Sequence, residues 1–141
     1  MTRTVDGRTY NLSLTDTAGQ EEYRGLWAAS NLKSDAFLLV YDITNVDSLA
    51  NLDYFVQMIE MESDARADAG GAGGMGKKGP TPGSGPVITP VKIVAGNKCD
   101  LVGMRQVKSA QGLEYARRHG CGFMETSARN VVNIEETFER V

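Results

Sequence analysis

Apolar residues in this chain recur in two rhythms, short runs of strand type and longer stretches at helical spacing. Arg3-Thr4-Val5 and Thr9-Tyr10-Asn11-Leu12-Ser13-Leu14 flank Asp6-Gly7, a dipeptide that closes tight hairpins because both residues tolerate positive φ. Ala36-Phe37-Leu38-Leu39-Val40-Tyr41 is a continuous apolar run, the pattern of a strand covered on both faces. Leu49, Leu52, Val56 and Ile59 then fall on one helical stripe, with Asp47 or Ser48 placed to cap it. Val91 to Ala95 reads as a second buried strand. Ser109 caps a helix that Gly120 ends, and Gly122 to Glu125 is a short strand. The final helix opens with Asn133 and Glu136 at capping-box spacing and buries Ile134, Phe138 and Val141. Strands alternating with helices of this size predict an α/β fold with a mostly parallel sheet, flanking helices and an antiparallel hairpin at one edge.

One stretch breaks the rhythm. All four prolines and eight of the sixteen glycines lie between Gly70 and Pro90, and Ser63 to Pro90 holds no aromatic residue and no periodicity. The 63–90 segment is therefore expected to be a flexible Gly/Pro-rich insertion in a single domain spanning 1–141. Loop closure costs only about 0.6 kcal/mol per doubling of length, so a turn tolerates such expansion.

Composition narrows the possible functions. With 41% hydrophobic and 23% charged residues in 141, the chain can bury a core. It has no run of 18 apolar residues, and its first residues carry no secretory h-region. A net charge of −3 is too mild for a nucleic-acid footprint or a basic membrane face. Cys99 and Cys121 make no C-x-x-C pair, which favours a reducing, cytosolic setting and a role as small apolar residues. His119, the sole histidine, sits where it would complement a helix dipole.

Three polar motifs follow predicted strands: Asp16-Thr17-Ala18-Gly19-Gln20, Asn97-Lys98-Cys99-Asp100 and Thr126-Ser127-Ala128. Ligands of open parallel sheets sit outside the carboxyl ends of the strands, so all three are expected to meet on one rim. As isolated fragments they could be a helix cap and turn residues, but that requires three coincidences at strand ends. Together they resemble the small GTPases of the Ras superfamily. Asp16 to Tyr23, Asn97 to Leu101 and Glu125 to Ala128 match its signatures in order, and the Glu21-Glu22-Tyr23 ending looks like the Ras family itself.

The resemblance implies a P-loop NTPase-type, Ras-like fold and a switch that hydrolyses GTP to GDP in signal transduction. Asp100 would accept two parallel hydrogen bonds from guanine's ring N–H and amine, a donor pair adenine lacks. Asn97 would orient polar contacts around the base, and Lys98 would pack its stem along the ring. The Ala128 N–H would reach the base carbonyl, with Ser127 supporting the Asp100 loop. Arg129 stands where most relatives carry lysine, and its stem can cover the base in the same way. Asp16 would hold Mg²⁺ through water, and Gly19 would offer its N–H to the γ-phosphate. Gln20 would orient the attacking water. Exchange factors, GTPase-activating proteins and effectors would read the switch that starts at Gly19.

The family's P-loop, Gly-x-x-x-x-Gly-Lys-Ser/Thr, has one near match here, Gly71 to Lys78. It fails as a phosphate site. Lys78 replaces the Mg²⁺-binding hydroxyl, no strand precedes it, and Gly79-Pro80-Thr81-Pro82 cannot start a helix. In the family the true P-loop lies upstream of the hairpin, so the chain reads as a fragment lacking that region and the C-terminal tail. Membrane association, at the cytoplasmic face of the plasma membrane, would require that lipidated tail. Losing four phosphate contacts at about 1.5–3 kcal/mol each would leave weak nucleotide binding. The competing expectation is a non-catalytic interaction module unable to bind nucleotide.

Overall fold

The computed structural model describes residues 2–17, 33–71 and 89–140. Strands β1 (Thr2–Val5) and β2 (Arg8–Asn11) form an antiparallel hairpin in which Thr2 faces Asn11 and Val5 faces Arg8. Asp6 and Gly7 hold φ of 48° and 74°, the positive pair that a two-residue turn of this hand demands. The Thr4 and Thr9 hydroxyls hydrogen-bond across the strands at 3.2 Å.

Strands β3 (Ala36–Asp42), β4 (Val91–Asn97) and β5 (Gly122–Glu125) form a parallel sheet in the order β3-β4-β5. Ile93, Val94, Ala95 and Gly96 are all buried, so β4 is the central strand covered on both faces. β3 departs from expectation. Phe37, Leu39 and Tyr41 are buried, but Val40 between them is 50% exposed, so only one face is fully covered.

The hairpin also departs from expectation, because it forms its own two-stranded sheet rather than extending the parallel one. A cleft of about 580 Å³ lies between them, lined by residues 11–17, 34–40, Leu52, Phe55 and Phe138. Strands must approach to about 4.8 Å to share a ladder, and these two are separated by the cleft instead. Among the described residues, β4 is the sole strand neighbour of β3.

Helix α1 (Val46–Ala50) is followed, after Asn51, by the longer α2 (Leu52–Gly71). The cap is Asn45, not Asp47 or Ser48: Asn45 Oδ1 accepts from the Asp47 N–H at 3.0 Å. Ser48 turns back instead, donating to the Asn45 carbonyl at 2.6 Å and accepting from the Asp42 N–H at 3.0 Å. Because α2 runs to Gly71, residues 63–71 of the expected insertion are helical, and 72–88 lie outside the described residues. Leu52, Val56 and Ile59 join Phe37, Leu39 and Tyr41 in the core.

Helix α3 (Ser109–Arg118) starts one residue earlier than expected, because its cap is Lys108 and not Ser109. The Lys108 N–H donates to Gln111 Oε1 at 2.8 Å. Gly120, at φ 61°, follows its end as expected. Gly112 is buried where a Cβ would come within 2.7 Å of the Phe123 ring, so its lack of a side chain lets α3 pack closely. Helix α4 (Ile134–Arg140) lacks the expected side-chain cap. Asn133 has φ 54°, and its Nδ2 donates to the Glu125 carbonyl at 2.8 Å. In α4 Thr137 is buried and donates to the Asn133 carbonyl at 2.5 Å, while Ile134 and Phe138 are half-buried. Val141 lies outside the described residues. No helix among the described residues is long and apolar enough to cross a membrane.

Candidate guanine-recognition rim

The carboxyl ends of β4 and β5 bring two of the three motifs together. β4 ends at Asn97, and the chain then turns through Lys98, whose φ of 65° is costly for a residue with a Cβ. That turn is closed by the Leu101 N–H donating to the Lys98 carbonyl at 2.9 Å. The motif after β5 is pinned across it. The Thr126 N–H donates to the Gly96 carbonyl at 2.9 Å, and the Cys99 N–H donates to the Thr126 carbonyl at 3.0 Å.

Side chains complete the clamp. Asn97 Oδ1 accepts from the Ala128 N–H at 3.3 Å and from the Thr126 hydroxyl at 3.4 Å. Ser127 is fully buried, and its hydroxyl donates to Asp100 Oδ1 at 2.5 Å while accepting from the Asn130 N–H at 3.1 Å. Asp100 is thereby fixed by one oxygen. Its second oxygen has no partner among the described residues and can accept from a ligand. Such a held carboxylate suits a planar ligand edge that presents two adjacent N–H donors.

Two groups that sequence reasoning missed support this rim. Arg105 forks onto Glu125, Nη1 to Oε1 at 2.6 Å and Nη2 to Oε2 at 3.1 Å, and also donates to the Val107 carbonyl at 3.1 Å. Glu125 lies in the quoted motif, but nothing in the sequence names Arg105 as its partner. Asp42, the last residue of β3, faces Asn97 in register and forms an ion pair with Lys98 Nζ at 2.5 Å. Burial opposes charge on the Asp42 carboxyl, but Lys98 and the two bonds from Thr44 outweigh it and hold the group below its ordinary value. Burial first, then the nearby Glu125 carboxylate, pushes the Tyr41 hydroxyl up to about 12. That hydroxyl is buried beside the same rim, with no hydrogen-bond partner among the described residues. Burial, Glu125 and Asp100 likewise raise the Cys99 thiol, disfavouring the thiolate.

The remaining expectations divide. Ala128 and Arg129 are exposed at the rim, with the Ala128 N–H engaged by Asn97 rather than left open. Asp16 is not brought to this rim. It is exposed and lines the cleft between hairpin and β3, because the hairpin is not part of the parallel sheet. Ala18, Gly19 and Gln20 lie outside the described residues. Asp16 is a single exposed carboxylate, and no group of three His, Cys, Asp or Glu residues among those described could hold a metal ion.

A model of the Ras family matches residues 1–69 and 87–141, leaving 70–86 outside the match. Ras-like protein B of Aspergillus fumigatus is 36% identical over 136 residues, which covers 95% of this chain and 56% of that protein. The chain thus spans about half the length of this curated relative. The matched sequence and the parallel sheet flanked by helices agree on a P-loop NTPase-type α/β fold, and the chain belongs to the Ras family.

Proposed function

We propose that this chain supplies the base-recognition half of a guanine-nucleotide switch that hydrolyses GTP to GDP. The observation that carries the reading is the Asp100 carboxylate, held at one oxygen by buried Ser127 and open at the other, beside Asn97 and Lys98. Asp100 accepts from guanine's ring N–H and amine. Lys98 and Arg129 lay their stems along the two faces of the ring, and Asn97 orients the neighbouring polar groups. The Ala128 N–H, held at a long 3.3 Å from Asn97, is free to shift to the base carbonyl. Ser127 keeps the Asp100 loop in place throughout.

Hydrolysis draws on the Asp16 segment. Asp16 would reach Mg²⁺ through water, the ion supplying charge neutralisation at the phosphates. Gly19 would donate its N–H to the γ-phosphate, and Gln20 would orient water. Exchange factors, GTPase-activating proteins and effectors would act on the switch, placing the protein in signal transduction. A lipidated tail would place it on the cytoplasmic face of the plasma membrane.

The base site can be tested in the 141-residue chain. Two charge-assisted bonds of about 1.5–3 kcal/mol each correspond to a Kd on the order of 0.1–10 mM. Amide NMR titration with GDP should shift the Asn97, Asp100 and Ala128 signals, while ADP at equal concentration should leave them in place. Equal shifts with ADP, or none with GDP, would refute base recognition and favour a non-catalytic interaction module.

A further inference from the structure

The rim is clamped from β5 through Ser127, yet its other flank, on β3, carries a second carboxylate with no part in base recognition as described above. Asp42 ends β3 directly opposite Asn97, so it sits one strand away from the motif it would serve. Its geometry is set before any ligand arrives. Asp42 Oδ1 accepts from the Thr44 N–H at 2.8 Å and the Thr44 hydroxyl at 2.7 Å. Its backbone is tied at both ends to the Ser48 hydroxyl, which accepts from the Asp42 N–H at 3.0 Å and lies 3.1 Å from the Asp42 carbonyl. Only Oδ2 remains to be filled, and Lys98 Nζ takes it at 2.5 Å.

Lys98 needs such a tether. Its side chain is 51% exposed, and its backbone sits in the left-handed region at φ 65°, so little packing restrains its rotamers. A free lysine samples many rotamers and loses them on packing against a ring. We propose that Asp42 is a positioning residue for guanine nucleotide, holding the Lys98 ammonium so that its four-carbon stem forms one preset wall of the base site. This rests on the base-recognition reading above and adds a third strand to it: Ser127 after β5 sets the Asp100 carboxylate, and Asp42 on β3 sets Lys98.

Asp42→Asn is the informative change, because its carbonyl oxygen still accepts from Thr44 while the charge facing Lys98 is lost. GDP and ADP titrations on the 141-residue chain would compare wild type, Asp42→Asn, Lys98→Ala and the double variant, with Asp42→Glu as the charge-restoring control. A partly exposed ion pair predicts GDP binding about two- to fivefold weaker in Asp42→Asn, with ADP as reference. It predicts no further loss when Asp42→Asn is added to Lys98→Ala, and partial recovery in Asp42→Glu. Lysine acylation followed by mass spectrometry should show Lys98 reacting faster in Asp42→Asn without nucleotide. An equal loss in both Lys98 backgrounds would make Asp42 merely structural and overturn the inference. So would guanine-selective binding indifferent to Asp42→Asn, which leaves base recognition standing. Wild-type chain that binds GDP no better than ADP overturns base recognition and this inference together.

Discussion

Replacing Asp100 with asparagine changes one atom at the base edge and leaves the loop's support intact. The asparagine carbonyl oxygen can still accept from the Ser127 hydroxyl, which holds Asp100 Oδ1 at 2.5 Å. The amide nitrogen then occupies the position of the open carboxylate oxygen. Guanine's amine would meet an N–H there, so one charge-assisted bond is lost and two donors face each other. A lost charge-assisted bond is worth about 1.5–3 kcal/mol and an unmatched buried donor about 1–3 kcal/mol. The combined loss is about 3–6 kcal/mol, or roughly two to four decades in Kd. Xanthine carries a carbonyl oxygen where guanine has its amine and accepts from the new N–H. Asp100→Asn should therefore drop GDP below detection while XDP binds within about tenfold of the wild-type affinity for GDP. Competition titrations with GDP and XDP on both proteins read this out directly. An equal loss for both nucleotides, or loss of the amide NMR dispersion of the rim, would refute direct contact and make Asp100 a turn residue.

Other outcomes test the surroundings of the site. Glu125→Gln removes the charge beneath the Arg105 fork, whose partners are only 21% and 22% exposed, and should lower unfolding free energy by about 1–3 kcal/mol in urea titration. Asp42 has a depressed carboxyl pKa, so its contribution is fully present above the ordinary 3.8 and is lost as pH falls below it toward the folded value. Acid unfolding of Asp42→Asn should accordingly show a shallower pH dependence than wild type below about pH 4. Gly112→Ala places a methyl within 2.7 Å of Phe123 and against the Tyr41 hydroxyl, and should lower Tm by overpacking of about 1–3 kcal/mol despite alanine's better helix propensity. Deleting residues 70–86, which fall outside the family match, should leave GDP affinity within twofold in the same NMR titration.

Local signals carried most of the architecture because each element satisfies its own rule. Asp6-Gly7 closes a hairpin through positive φ, Gly120 ends α3 for the same reason, and the buried run in β4 is continuous because both faces are covered. The departures share a cause. Whether Val40 is buried, and whether the hairpin joins the parallel sheet, depends on what lies beside β3, and periodicity within a segment contains no information about its neighbours. The helical 63–71 stretch was obscured differently. Ala and Arg favour helix, but the absence of an apolar stripe and the adjacent glycines mask that preference.

The site divides along the same line. Asn97, Asp100 and Ser127 stood out in the sequence because their motifs resemble those of the family, and the fold does bring them together, Ser127 donating to Asp100 and Asn97 accepting from the Ala128 N–H. Arg105 and Asp42 were not readable, because nothing in a segment's own pattern requires an arginine twenty residues before Glu125 or an aspartate at the end of β3. Each partnership appears only in the fold: Asp42 reaches Lys98 from its place opposite Asn97 on the neighbouring strand, and Glu125 on β5 meets Arg105 from the loop that follows β4. Residues that touch a ligand are constrained by the ligand's chemistry and leave a motif. Residues that aim those side chains are constrained by distance across strands, so the same task can fall to different positions. For this chain the aim of Lys98 is therefore decided on β3, fifty-six positions before Lys98 itself.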